Sequence, residues 1–153
     1  MRLVIQRVCK ASVTINDDVV ASIGRGILVL VGFGAQDAFP SAARGIDAVL
    51  AKMLSLRIFA DDAGHMNKTL KDVEGGILLV SQFTLYADCR KGRRPSFHLA
   101  CPPEKAENLY HSLCAKVKLL HSGPVESGVF AANMAVTLVN DGPVTILLDS
   151  TDF

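Results

Sequence analysis

The chain has no hydrophobic run long enough to cross a bilayer, which takes about 20 apolar residues in a helix. Its longest aliphatic stretches, Ile27 to Val31 and Ile77 to Val80, fall far short. The opening Met1-Arg2-Leu3-Val4-Ile5-Gln6-Arg7 interrupts its apolar run with Gln6 and Arg7, unlike a signal peptide, so the cytosol is the expected compartment. Cysteine is sparse. Cys9, Cys89, Cys101 and Cys114 include no pair with the two-residue gap of a zinc knuckle or redox motif, and reduced thiols are expected. His65, His98, His111 and His121 form no HExxH pair, so neither a metal nor another cofactor is expected. The GxSxG elbow, the P-loop and the dinucleotide fingerprint are all missing. Gly24-Arg25-Gly26 and Gly32-Phe33-Gly34 are two-glycine fragments that read as turns.

An excess of charge of either sign is lacking too. The net charge is only +1, which excludes a protein that coats nucleic acid through bulk electrostatics. Its distribution says more. Gly123 to Phe153 contains no Lys or Arg, whereas Arg90, Lys91, Arg93 and Arg94 sit together with Asp88 as the only nearby acid. Such a cluster suits one short stretch of phosphates, or else is a solvated loop.

What is present is a chain of 153 residues, half of them hydrophobic, which suits one domain over residues 1–153. A chain of this size buries roughly 68–70% of its unfolded surface and needs no metal or disulfide to fold. The first third reads as strands: Met1 to Val8, Ser12 to Ile15, then the turn Asn16-Asp17-Asp18 before Val19 to Ile23. Ile27 to Phe33 is apolar on both faces, as a buried central strand should be. Ile46, Val49, Leu50, Met53 and Leu54 then recur at helical spacing, predicting a helix from about Pro40 to Leu54. Leu56 to Ala60 reads as a strand closed by the turn Asp61 to Gly64, and Ile77 to Phe83 as another apolar strand. A second helix should start near Pro102-Pro103, because proline is tolerated in a first turn. Its apolar face is Ala106, Leu109, Tyr110, Leu113, Val117 and Leu120, and Ser122-Gly123-Pro124 ends it. Two strands close the chain, Met134 to Val139 and Val144 to Leu148. The pattern predicts one α+β domain, mostly sheet, with two main helices.

Two segments place unusual residues in costly positions. Ser81-Gln82-Phe83-Thr84-Leu85-Tyr86-Ala87-Asp88 puts Gln and two hydroxyls at the end of a buried strand, where an unpaired polar group costs roughly 1–3 kcal/mol. Either these groups satisfy neighbouring backbone or they form a site. The second, Asn140-Asp141-Gly142-Pro143-Val144-Thr145, reads plainly as a hairpin turn.

Together these segments resemble the signatures of the D-aminoacyl-tRNA deacylase family. Met1 to Val8 with Ala11-Ser12-Val13, Leu56 to Phe59, Arg90-Lys91-Gly92, Arg94 to Phe97 and Gly128-Val129-Phe130 resemble that family as well. The similarity runs in order from residue 1 to about Ser150. Cys89 stands where the family more often has Thr, and Ala131 to Met134 varies a stretch usually carrying Gly and Asp. The resemblance implies a small mixed-sheet, β-barrel-like fold. It implies hydrolysis of the ester of D-aminoacyl-tRNA, with glycyl-tRNA also cleaved, as proofreading in translation. It assigns Ser81, Gln82, Phe83 and Thr84 to the catalytic pocket. Gly142-Pro143, joined by a cis bond, becomes a chirality gate inserted into the partner subunit of a homodimer, with Arg7 bracing it. Arg90, Lys91, Arg93 and Arg94 become contacts to tRNA phosphates. Other classes stay open on residues alone: a non-catalytic RNA-binding module, an editing domain of a synthetase, and a hydrolase built on Cys89 or Cys101.

Overall fold

The structure is a computed structural model that describes residues 1–153. Strand β1 (Arg2–Ile15) runs without a break, so the two expected strands Met1 to Val8 and Ser12 to Ile15 are one. Its burial pattern shows why it reads as two. Leu3 and Ile5 face one core, whereas Val8, Ala11 and Val13 face another. The parity of inward residues changes around Val8 to Ala11, where the register against a neighbouring strand also slips. A local irregularity turns the strand over without ending it.

Asn16 and Asp17 have φ of 48° and 68° and form a two-residue hairpin into β2 (Asp18–Ile23), since Ile15 pairs with Asp18. Positive φ at both central residues matches the twist of the flanking strands, and Asn and Asp tolerate it. Strand β3 (Gly26–Gly32) lies between β1, antiparallel, and β6 (Gly76–Ser81), parallel. Both are buried along nearly their whole length, as their apolar sequences predict. They begin side by side at Gly26 and Gly76, where a Cβ on Gly26 would lie 2.0 Å from the Gly76 carbonyl. Only glycine permits that approach.

Helix α1 (Ala43–Ser55) follows two short 3-10 turns and buries Val49, Leu50 and Met53. The expected strand over Leu56 to Ala60 shrinks to β4 (Phe59–Ala60), which pairs with β5 (Met66–Lys68). Asp61 holds this hairpin by accepting the N–H groups of Ala63 and His65, each at 2.9 Å. Helix α2 (Pro103–Leu120) starts at the predicted proline and buries Ala106, Tyr110, Leu113, Cys114 and Val117, while Leu120 stays exposed. Strand β7 (Val125–Ser127), not anticipated in the sequence, pairs in parallel with β6.

The last strand corrects a second expectation. Strand β8 (Ala135–Asp149) pairs with β1 on both sides of Asn140–Val144, so the chain does not reverse there. Met134 to Val139 and Val144 to Leu148 are halves of one strand, and the hairpin reading is wrong. A hairpin pairs its two arms with each other, whereas here both arms pair with a third strand. The six strands β2-β1-β3-β6-β7, with β8 on β1, curl into a nearly closed barrel-like sheet. Alternate residues sort to two cores: Ile27, Val29, Ile77 and Leu79 pack under the helices, while Leu28, Leu78 and Val80 fill the barrel. No helix is long and apolar enough to cross a membrane.

Candidate active site

Strand β6 stops at Ser81, two residues before the expected Phe83. The Gln82 N–H makes a last bond to the Val31 carbonyl at 2.7 Å, and Phe83–Tyr86 then winds into a 3-10 turn. Gly32 makes room for it, because a Cβ there would meet the Gln82 carbonyl at 2.9 Å and the Leu85 Cβ at 3.0 Å. The first N–H groups of a helical turn have no partner within the turn. Among the bonds outside regular elements, the N–H groups of Gln82 and Leu85 donate, but those of Phe83 and Thr84 do not. Two adjacent main-chain donors are thus left at the strand end.

Phe83, with Ser81 and Gln82, lines one side of a cavity of about 740 Å³ whose other side is formed by Phe97, Phe130 and Asn133. Phe83 and Phe97 meet edge to face with centroids 4.9 Å apart, and both are exposed at its mouth. Beside it, buried Tyr110 donates from its hydroxyl to the Leu79 carbonyl at 2.9 Å and tilts against Phe130 at 5.9 Å. No carboxylate, lysine or arginine lines the cavity. The only imidazole there is His98, whose Nδ1 is hydrogen-bonded to the Ser96 hydroxyl at 2.9 Å. Thr84 stands outside the lining, and the Gln82 side-chain amide donates to its hydroxyl at 2.5 Å. Cys101 lines the cavity, but burial pushes its thiol pKa up, with nearby Asp37 adding to the effect. That opposes thiolate formation at Cys101 and weakens a hydrolase built on it, and Cys89 lies outside the lining. No three His, Cys, Asp or Glu side chains converge where they could hold a metal ion.

The second segment forms a protrusion. Gln6 pairs with Thr145 and Val8 with Asn140, so Asp141 to Val144 bulge outward opposite the single residue Arg7. Asn140 closes the neck, its Oδ1 accepting the Val144 N–H at 2.9 Å and its Nδ2 donating to the Val144 carbonyl at 3.3 Å. The Gly142–Pro143 peptide is cis, and both residues are exposed. Arg7 underpins the protrusion, its Nε donating to the Asp141 carbonyl at 2.8 Å and its Nη1 to the Ile58 carbonyl. Neither Gly142 nor Pro143 lines the cavity of its own chain. The structure therefore joins Arg7 to the protrusion and Ser81, Gln82 and Phe83 to the cavity, but keeps these two groups apart within one chain.

The basic loop is pinched shut by a pair of main-chain bonds between Asp88 and Ser96, at 2.7 and 2.9 Å. Its four cations are not equivalent. Arg90 grips Asp88 through Nε and Nη2 at 2.8 and 2.7 Å and holds that carboxyl well below its usual range. Lys91, Arg93 and Arg94 are exposed and make no ion pair. The sequence reading did not single out Phe130 to Met134 as site-forming, because nothing local shows that this loop folds over the end of β6. Ala131 at φ 60° is part of it.

Known proteins resemble this chain along its whole length. The D-Tyr-tRNA(Tyr) deacylase family model matches residues 4–149. A D-aminoacyl-tRNA deacylase of Solidesulfovibrio magneticus is 58% identical, with 99% of this chain and 97% of that protein covered. One from Desulfitobacterium hafniense is 52% identical, covering 98% of this chain and 97% of its own length. Among solved structures, a c-Myc DNA unwinding element binding protein superposes with a TM-score of 0.89 at 41% identity, over 97% of this chain and 98% of that one. A probable eukaryotic D-amino acid tRNA deacylase shares the fold with a TM-score of 0.81 at 21% identity, over 96% and 97% of the two chains. With the model matched almost end to end and relatives identical at more than half their positions, the chain belongs to the D-Tyr-tRNA(Tyr) deacylase family.

Proposed function

We propose that this chain hydrolyses the ester bond between a D-amino acid and the terminal ribose of tRNA, releasing both, and does so in the cytosol, where charged tRNA is found. The observation that carries the reading is the uncharged cavity at the end of β6, lined by Phe83, whose N–H, like that of the adjoining Thr84, has no main-chain partner. An aminoacyl ester is already activated by its α-ammonium and the neighbouring ribose hydroxyl. It needs a held carbonyl and a water more than a protein nucleophile. Main-chain donors aimed at the developing oxyanion supply the first, at ~2.7–4 kcal/mol for one such donor. Ser81 and Gln82 shape the pocket beside them. With no carboxylate in the lining, the 2′-hydroxyl of the tRNA assists the water, and Thr84 is not an essential nucleophile.

Stereochemistry is assigned to Gly142 and Pro143. Their carbonyls hold the ammonium and occupy the volume an L side chain would need. A D side chain points away, so its identity matters little, and glycine, with nothing to exclude, also passes. Exclusion suits the task because attraction to one methylene discriminates by only ~1–3 kcal/mol. This chain holds its own protrusion away from its own cavity, and β8 pairs with no strand besides β1. Both features support a homodimer in which each copy inserts Gly142-Pro143 into the other's pocket, with Arg7 as the brace. Lys91, Arg93 and Arg94, with Arg90 anchored on Asp88, meet acceptor-stem phosphates, contacts that position without reading sequence.

The test is hydrolysis of D-tyrosyl-tRNA and L-tyrosyl-tRNA by the purified protein, with its mass measured in solution. Turnover of the D ester alone by a dimer is expected. Tight tRNA binding without turnover would instead favour the nucleic-acid-binding reading, and a monomer that still discriminates would refute delivery of the gate by a second copy.

A further inference from the structure

The 3-10 turn that carries the Phe83 and Thr84 N–H groups is only four residues long, too short to hold its own position. Its first residue, Phe83, lines the cavity, and its second half is where the fold grips it. Arg2 supplies much of that grip. Its Nη1 donates to the Leu85 carbonyl at 2.9 Å, its guanidinium lies 4.6 Å above the ring of buried Tyr86, and its Nε donates to Asp149 at 2.8 Å. One planar group thus touches two consecutive residues of the turn and the last residue of β8. Leu85 lies one residue beyond Thr84, so a shift of that carbonyl moves the donors directly.

We propose that Arg2 is a positioning residue for ester hydrolysis: through Leu85 and Tyr86 it fixes the turn whose main-chain N–H groups meet the substrate carbonyl. The proposal rests on the deacylase reading above. Arginine suits the task because its fork bonds two acceptors in a fixed plane while its face stacks on an aromatic ring, which a lysine ammonium cannot do together. Donor placement matters most when charge develops on the carbonyl oxygen. Loss of Arg2 therefore lowers kcat, and the tRNA contacts that set KM, remote on the basic loop, are left alone. A misplacement of about 1 Å can cost ~10²-fold in rate.

The experiment compares wild type, R2Q, R2K and D149N in single-turnover and steady-state hydrolysis of D-tyrosyl-tRNA, well below each protein's Tm. R2Q is expected to lose at least ~10-fold in kcat with KM within about twofold, and R2K to lose several-fold. D149N removes the charge of one of the two acceptors but leaves the bond to Leu85 and the stack on Tyr86, and is expected to lose clearly less in kcat than R2Q even where its Tm falls. If R2Q does not fold, R2K decides by the same split between kcat and KM. An active wild type with undiminished kcat in the folded Arg2 variants overturns the proposal, as does a loss confined to KM or one matched by D149N. A wild type without turnover sinks the deacylase reading itself, and this proposal with it.

Discussion

Gly142 is the position where a single methyl tests the assignment of the gate. Its φ of 139° lies in a region that L side chains rarely adopt, and holding one there costs about 1–3 kcal/mol. Space is short as well. A Cβ would meet the Val144 N at 3.0 Å, the Val144 Cγ2 at 2.9 Å and the Arg7 Nη2 at 3.0 Å. Neither neighbour yields easily. The Val144 N–H is tied to Asn140, and Arg7 is tied to the Asp141 and Ile58 carbonyls. The protrusion itself must therefore move in Gly142→Ala. For a domain of this size each kcal/mol is about 2–4 °C in Tm, which puts the expected fall at roughly 2–12 °C. The cavity of the same chain contains no residue of the protrusion, so the pocket stays intact. Activity should nonetheless fall ~10²-fold on D-tyrosyl-tRNA, or discrimination against L-tyrosyl-tRNA should erode, because the gate is displaced on the scale of an ångström. Thermal melting and hydrolysis of the two enantiomeric esters check this. Gly24→Ala serves as the control, since nothing lies within 4 Å of its added Cβ. If Gly142→Ala melts and discriminates like wild type, Gly142 is not part of a rigid gate.

Three further outcomes follow from particular interactions. Thr84→Ala should keep substantial hydrolysis, whereas a tRNA ending in 2′-deoxyadenosine should be cleaved poorly; a dead mutant with normal cleavage of the deoxy substrate reverses the two roles. Changing Lys91, Arg93 and Arg94 together to Ala should weaken tRNA binding at every sequence and lower the slope of log K against log salt by about 1 for each phosphate that is no longer neutralised, and an unchanged slope in a binding titration removes the loop from the interface. Asp37→Ala should destabilise the fold by about 3–5 kcal/mol in a denaturant titration, because the buried Met1 ammonium, 2.7 Å from that carboxylate, loses its counter-charge; a loss below about 1 kcal/mol would show that the Ser150 hydroxyl, 2.5 Å away, satisfies the ammonium by itself.

Local order along the chain settled much of the architecture by itself. The unbroken apolarity of Ile27 to Val31 and Ile77 to Val80 specified strands buried on both faces, and β3 and β6 are those strands. The 3.6-residue recurrence from Val49 to Met53 and from Ala106 to Val117 specified the buried faces of α1 and α2. Pro103 fixed where α2 begins. These features need only a period and a start signal, and both are local. The order of the motifs carried the family, since Ser81 to Thr84 and Asn140 to Thr145 are recognisable without coordinates. Long-range partners were not written in any window. Asn140-Asp141-Gly142-Pro143 has the composition of a hairpin, and only the pairing of both its flanks with β1 makes it a protrusion. The short strands β5 and β7 have too few residues to show a period, and β7 exists because β6 lies beside it. The cavity joins the end of β6 to the Phe130 to Met134 loop, far along the chain, and Asp88 sorts Arg90 from its free neighbours. Periodicity fixes which face of an element is buried, but only folding in three dimensions decides what that face, or that loop, will meet.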